Sequence, residues 1–87
     1  MYSIYVLQSK KNDSFYIGFT TNVKRRVLEH NQNIGGEYTK DKGEWRLIYA
    51  EAYSNKKDAI AREKFLKSGS GLRLLKKQLK NFLSDDK

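Results

Sequence analysis

Tyr5 and Tyr16 are side chains whose type could move a proton in a reaction. If Ser9 to Ser14 form a turn, Gln8 pairs with Phe15, Leu7 with Tyr16 and Tyr5 with Gly18. Side chains alternate between the faces of a strand, so Tyr5, Tyr16 and Gly18 then share one face. Gly18 carries no side chain, which predicts an open patch beside two phenols where a backbone or ligand can come close. A slip of one residue would separate the tyrosines. The plainer alternative is that two tyrosines on a hairpin are simply good strand formers.

Arg26 and His30 form a second constellation. Four apart on a helix, they are neighbours on one face, bordering the side on which Val23 and Val27 should pack. A guanidinium there can make a forked contact with phosphate oxygens. The alternative is a snorkelling arginine beside a half-buried histidine. Glu63 is the third candidate. Its spacing from Ala59 and Leu66 places it on or beside an apolar helix face, where a carboxylate is costly unless it is paired or binds a cation. Mg²⁺ typically takes one or two carboxylates, with waters and phosphate oxygens completing its shell. A salt bridge to Arg62, Lys64 or Lys67 would also serve. Together these residues are what phosphodiester hydrolysis requires: an oxygen acid or base, a cation for developing charge, and a carboxylate for a metal.

The elements that must position them can be read from the same pattern. Tyr2 to Gln8 and Phe15 to Thr20 alternate and are rich in β-formers, with the polar cluster Ser9 to Ser14 between them, so they predict a β-hairpin. Asn22 is suited to cap a helix running to about Asn31. Gly35-Gly36 and Lys42-Gly43 bracket a loop containing Tyr38. Trp45 to Tyr53 is the third strand. Ser54 is a suitable N-cap for a helix from Asn55 to about Lys67. Ser68-Gly69-Ser70-Gly71 should break that helix, with Gly69 in the left-handed C-terminal position. Leu72, Leu75, Leu79, Phe82 and Leu83 then lie at the spacing of one last helix. The expected architecture is α+β, a three-stranded antiparallel sheet flanked by helices in the order ββαβαα. Residues 1–83 should form one domain and 84–87 a short frayed tail.

Composition narrows the function. The chain has 87 residues, 18 Lys and Arg against 10 Asp and Glu, and a net charge of +8, which favours a polyanionic partner. Nucleic acid comes first and an anionic membrane surface second. The runs Lys24-Arg25-Arg26 and Lys76-Lys77 could equally be solvated helix faces. There is no cysteine, and His30 is the only histidine, so a structural zinc site of Cys and His is excluded. No apolar run approaches the roughly 20 residues of a membrane span. The N-terminus lacks the pattern of a signal peptide, and a cytoplasmic protein is expected.

At these residues the sequence resembles the GIY-YIG nuclease superfamily. Ser3-Ile4-Tyr5 stands at the first motif, and Tyr16-Ile17-Gly18 is the second motif intact. The stretch from Tyr16 to Asn31 is similar to the family's strand-to-helix segment. Gly36-Glu37-Tyr38-Thr39-Lys40 and Ala61-Arg62-Glu63-Lys64 resemble its later blocks. The resemblance covers about Tyr2 to Lys80 and is closest to small stand-alone bacterial members. It implies three antiparallel strands flanked by helices. It also implies an endonuclease acting on DNA ahead of RNA, with one divalent ion, Mg²⁺ or Mn²⁺. By position, Tyr5 and Tyr16 are the motif tyrosines, one of them the base toward water. Arg26 is the phosphate-facing arginine, His30 matches a histidine found in several members, and Glu63 matches the metal-binding glutamate. A free phenol has a pKa near 10, so the tyrosine base needs help, which His30 or the metal could supply. Lys24, Arg25 and Lys40 are the residues expected to hold nucleic acid.

Ser3 departs from the first motif's glycine. Phe19 stands where some members place a lysine, for which Lys40 is the expected substitute, and Asn81 is the candidate for an asparagine that follows the glutamate in some members. The alternative functions are a non-catalytic nucleic-acid-binding module and an interaction domain whose partner protein supplies specificity or activation.

Overall fold

Strands β1 (Tyr2–Ser9) and β2 (Phe15–Thr20) form an antiparallel hairpin in the computed structural model, which describes residues 1–32 and 44–85. The register is the expected one: Gln8 faces Phe15, Leu7 faces Tyr16 and Tyr5 faces Gly18. The turn is held by its own side chains. Ser9 Oγ accepts from the backbone N–H of Lys11 and Asn12, and Asn12 Oδ1 accepts from that of Ser14. Asp13 sits at φ 64°, a left-handed conformation that a short polar side chain tolerates better than most.

Helix α1 (Val23–Asn31) follows, and Asn22 caps it by accepting from the Arg25 N–H at 3.0 Å. Strand β3 (Trp45–Tyr53) pairs antiparallel with the free side of β1, giving the sheet order β2-β1-β3. Its register shifts between Val6, opposite Tyr49, and Leu7, opposite Leu47, so Ile48 is the extra residue of a β-bulge. A bulge reverses which side chains face which way. Here it turns Leu47 and Trp45 onto the face that carries Tyr5 and Leu7.

Helices α2 (Lys56–Leu66), α3 (Gly69–Gln78) and α4 (Lys80–Asp85) complete the order ββαβααα. Three local expectations are corrected. Asn55, not Ser54, caps α2, accepting from the Lys57 N–H at 2.8 Å. Gly69 is not a left-handed terminator but the first residue of α3, capped by Ser68, whose Oγ accepts from the Gly71 N–H. The single last helix is two, because the chain leaves helical geometry at Leu79. Beyond that break, the Phe82 ring lies 5.1 Å from the Arg46 guanidinium carbon. The second piece runs through Asp85, past the expected start of the tail.

Alternation sorts the side chains onto the two faces of the sheet. On one, Ile4, Val6 and Ile17 pack against Ala59 and Leu66 of α2 and Leu75 of α3. On the other, Tyr5, Leu7 and Trp45 pack with Tyr16 and with Val23 and Val27 of α1. The Glu51 carboxylate, on the α2 side, accepts from Tyr49 at 2.5 Å, Tyr53 at 2.9 Å and Arg62 Nε at 2.6 Å. Burial alone would raise its pKa, but these hydrogen bonds and the Arg62 charge hold it below the ordinary range. Among the described residues no helix is long and apolar enough to cross a membrane.

Candidate active site

The hairpin and α1 bring Tyr5, Tyr16 and His30 into one cluster. The Tyr5 hydroxyl lies 2.9 Å from His30 Nε2. The ring centroids of Tyr16 and His30 are 4.8 Å apart, and those of Tyr5 and Tyr16 are 6.2 Å apart. Trp45 supports the cluster from β3, with its ring 6.4 Å from that of Tyr16. The two tyrosines differ in access: Tyr5 is 1% exposed, while Tyr16 is half-buried. His30 is fully buried, which corrects the half-buried alternative. The expected open patch at Gly18 is also corrected. The Tyr5 ring fills it, so that a Cβ on Gly18 would come within 2.5 Å of Tyr5 Cζ and Oη.

Burial sets the protonation of this pair, because it disfavours charged forms. The Tyr5 phenol is pushed up to about 12 by desolvation; the Arg26 hydrogen bond and charge oppose this, while Tyr16 adds to it through charge and a hydrogen bond. His30 is held below the ordinary imidazole value by burial and then by the Arg26 charge, with Glu29 pulling the other way. Near neutral pH both groups are therefore uncharged. They share one hydroxyl–imidazole hydrogen bond, whose direction follows the His30 tautomer.

Arg26 lies beside Tyr5 and its side chain is 24% exposed. Its Nη1 donates to Glu29 Oε1 at 2.7 Å, one helical turn on. Glu29 also pairs with Arg25 Nε at 3.9 Å. The sequence reading gave Glu29 no role; its i, i+3 spacing from Arg26 was the available signal.

Glu63 stands on α2, which packs on the other face of the sheet from α1. Its side chain is 22% exposed, as its helical stripe implied, and its carboxylate pairs with Lys67 Nζ at 3.1 Å. Among the described residues no three His, Asp or Glu side chains gather as a ready-made metal cage. One carboxylate is nevertheless a sufficient protein donor for Mg²⁺ when water and substrate phosphate complete the shell. The donor chemistry of Glu63 fits an ion of that kind. A cleft at the β2 edge is lined by Tyr16 and by Lys67, the salt-bridge partner of Glu63.

Lys24 and Arg25 lie exposed on α1. Lys40 and the block Gly36 to Lys40, with Tyr38 and the bracketing glycines, lie outside the described residues. Phe19 stacks on Tyr2 on the α2 side of the sheet, with centroids 6.2 Å apart. Asn81 is exposed on α4. Asn31 was missed by the sequence reading. Its side-chain amide donates to the Trp45 carbonyl at 2.9 Å, and its Oδ1 accepts from the Trp45 N–H at 2.7 Å. This pair of hydrogen bonds ties the end of α1, and with it His30, to the start of β3.

Residues 1–77 match the GIY-YIG catalytic domain family. A UPF0213 protein of Limosilactobacillus reuteri is 41% identical over 86 residues, which is 97% of this chain and 83% of the relative. A UPF0213 protein of Clostridium perfringens is 38% identical over 64 residues, covering 74% of this chain and 68% of the relative. The solution NMR structure of the UPF0213 protein BH0048 from Bacillus halodurans superposes with a TM-score of 0.53. It shares 33% identity and covers 86% of this chain and 82% of that one.

Proposed function

Because the chain belongs to the GIY-YIG family, we propose that it is an endonuclease hydrolysing phosphodiester bonds in DNA, with Tyr16 as the residue that receives the proton of the attacking water. The observation that carries this reading is the unequal pair of tyrosines. Tyr5 is sealed against His30, whereas Tyr16 is half-buried at the rim of a cleft.

The Tyr5 hydroxyl lies 2.9 Å from His30 Nε2, and the Tyr16 ring stands beside that of Tyr5 with centroids 6.2 Å apart. In the His30 tautomer with its proton on Nδ1, the hydroxyls run inward, Tyr16 to Tyr5 and Tyr5 to Nε2. As water attacks phosphorus, its proton passes to the Tyr16 oxygen, the Tyr16 proton moves to Tyr5, and the Tyr5 proton moves to neutral His30. The P–O bond to the leaving strand breaks, the leaving oxygen takes up a proton from solvent, and the relay then runs back to return the His30 proton to solvent. This relay removes the need for a free phenolate, whose formation in a buried site is unfavourable. Arg26 leaves Glu29 to make a forked contact with the phosphate, and Lys24, Arg25 and Lys40 hold flanking phosphates. Glu63 would hold one Mg²⁺ or Mn²⁺ ion, which as a Lewis acid stabilises charge on the phosphoryl oxygens.

The test is incubation of the purified protein with end-labelled DNA, in single-stranded, duplex and flap forms, with Mg²⁺ and with EDTA. Cleavage that EDTA stops supports the reading. Salt-sensitive binding without cleavage of any substrate would leave a binding module of the same fold.

A further inference from the structure

The cleft at the β2 edge has a composition that the cleavage chemistry does not account for. It is about 360 Å³ in volume and is walled by Phe15, Ile17, Leu66 and Leu72, with Tyr16 and Lys67 as its polar members. Phe15 and Leu72 are half-buried, and Ile17 and Leu66 are buried. Lys76 of α3 holds its Nζ 5.6 Å from the centroid of the Phe15 ring. Arg73, one turn earlier, is exposed on the same helix. Among the described residues no acidic side chain lines the cleft.

We infer that this cleft is a subsite for one nucleobase of the bound strand, stacked on Phe15, with its flanking phosphates on Lys67 and Lys76. Three observations support it. The walls are apolar and include an aromatic face, which suits a base of any identity. Two cations stand beside the apolar walls, Lys67 in the lining itself, paired with Glu63, and Lys76 over the Phe15 ring, where either can meet a flanking phosphate. Tyr16 borders it, so a base seated there places the adjoining phosphate beside the hydroxyl assigned to catalysis. A base in this position is out of its duplex stack, either in an unpaired strand or by flipping. The ammonium over Phe15 is no obstacle. An exposed cation–ring contact is weaker than base stacking, and Lys76 keeps a phosphate partner on its flexible stem. This inference rests on the nucleic-acid reading of the protein but not on cleavage.

Binding in EDTA separates the two. The intact protein is titrated with a thymidine homo-oligonucleotide and with a strand of equal length made wholly of tetrahydrofuran abasic sites. Both carry the same phosphates, and only one carries bases. Wild-type protein should bind the thymidine strand roughly tenfold more tightly. In Phe15→Leu, with the fold verified by circular dichroism, that preference should fall towards unity while abasic affinity is kept. Lys76→Gln should weaken both strands alike and reduce the salt slope by about 0.7. In wild-type protein, the methyl NMR signals of Ile17, Leu66 and Leu72 should shift with the thymidine strand and stay with the abasic one. That measurement decides the matter if Phe15→Leu fails to fold. Equal affinity for the two strands, no binding of either, or unmoved methyl signals would overturn the subsite. Cleavage with Mg²⁺ is scored separately, so a protein with the base preference and no cleavage loses the nuclease reading alone.

Discussion

The Tyr5 hydroxyl lies 2.9 Å from His30 Nε2, and neither residue has appreciable contact with solvent. The bond crosses from the central strand to the last turn of α1, so the first motif tyrosine is a fixed part of the scaffold. Tyr16, one strand over, is half-buried and so the more accessible of the two phenols.

This asymmetry predicts different outcomes for the two phenylalanine variants. Tyr16→Phe should lower the cleavage rate by roughly 10²–10⁴-fold, the usual scale for loss of an acid–base group, with little change in stability. Tyr5→Phe should also lose activity, and it should destabilise the fold by about 1–3 kcal/mol because a buried imidazole nitrogen loses its partner. Single-turnover cleavage and urea denaturation of both variants check this. Full activity in Tyr16→Phe would transfer the proton-accepting role elsewhere.

Glu63→Gln should abolish cleavage while DNA binding in EDTA is kept, since removal of a negative charge does not weaken attraction to phosphate. Lys67 loses its i, i+4 partner, a loss of only about 0.3–0.5 kcal/mol. Cleavage is measured at saturating DNA across a Mg²⁺ titration. Wild-type rates in the folded variant would remove Glu63 from the metal's binding.

The hairpin was legible because its chemistry is local. The turn residues fixed its length, and strand alternation then placed Tyr5, Tyr16 and Gly18 on one face. Arg26 and His30 were legible from helical spacing. The burial of His30 was not, because it depends on the Asn31 clamp to Trp45 and on the bulge at Ile48, which join segments distant in sequence. The Glu51–Arg62 pair escaped for the same reason: β3 and α2 meet only in the folded chain. Gly69 misled because a glycine after a helix usually ends it. Here Gly71 is the glycine that packing requires, as a Cβ there would lie 1.8 Å from the Phe65 carbonyl oxygen.

The buried pair makes stability depend on pH at both ends. The folded-state pKa of His30 is lowered, so its contribution is present above the unfolded value near 6.5. That contribution is lost as pH falls through the folded value. The folded-state pKa of Tyr5 is raised to about 12, so stability is kept below about pH 10 and falls between there and about 12, by up to about 3 kcal/mol. Urea midpoints across this range measure both limbs. Activity should fall on the acid side together with His30, since an imidazolium cannot accept the relayed proton. His30→Gln should lose that acid limb of the rate profile. An unchanged acid limb in the variant would remove His30 from the relay.

Gly18→Ala tests the packing that holds the cluster together. The added methyl would lie 2.5 Å from both Cζ and Oη of Tyr5, well inside contact distance, and Tyr5 is 1% exposed with no room to swing outward. The ring must shift, and the 2.9 Å bond to His30 must lengthen or break. Overpacking of this kind costs typically 1–3 kcal/mol, and the relay loses its middle member, so cleavage should fall while phosphate contacts from α1 persist. Gly69→Ala is the control. Its new methyl would meet nothing closer than Arg73 Nη1 at 3.6 Å, an ordinary contact, and alanine favours a helix over glycine by up to about 1 kcal/mol. Gly69→Ala should therefore be as stable as wild type or more so, with unchanged cleavage. The comparison is read by urea denaturation, cleavage rate and the NMR titration of His30, which should change in Gly18→Ala only. A Gly18→Ala protein with native stability, native rate and an unmoved His30 titration would show that Tyr5 has freedom this packing denies it.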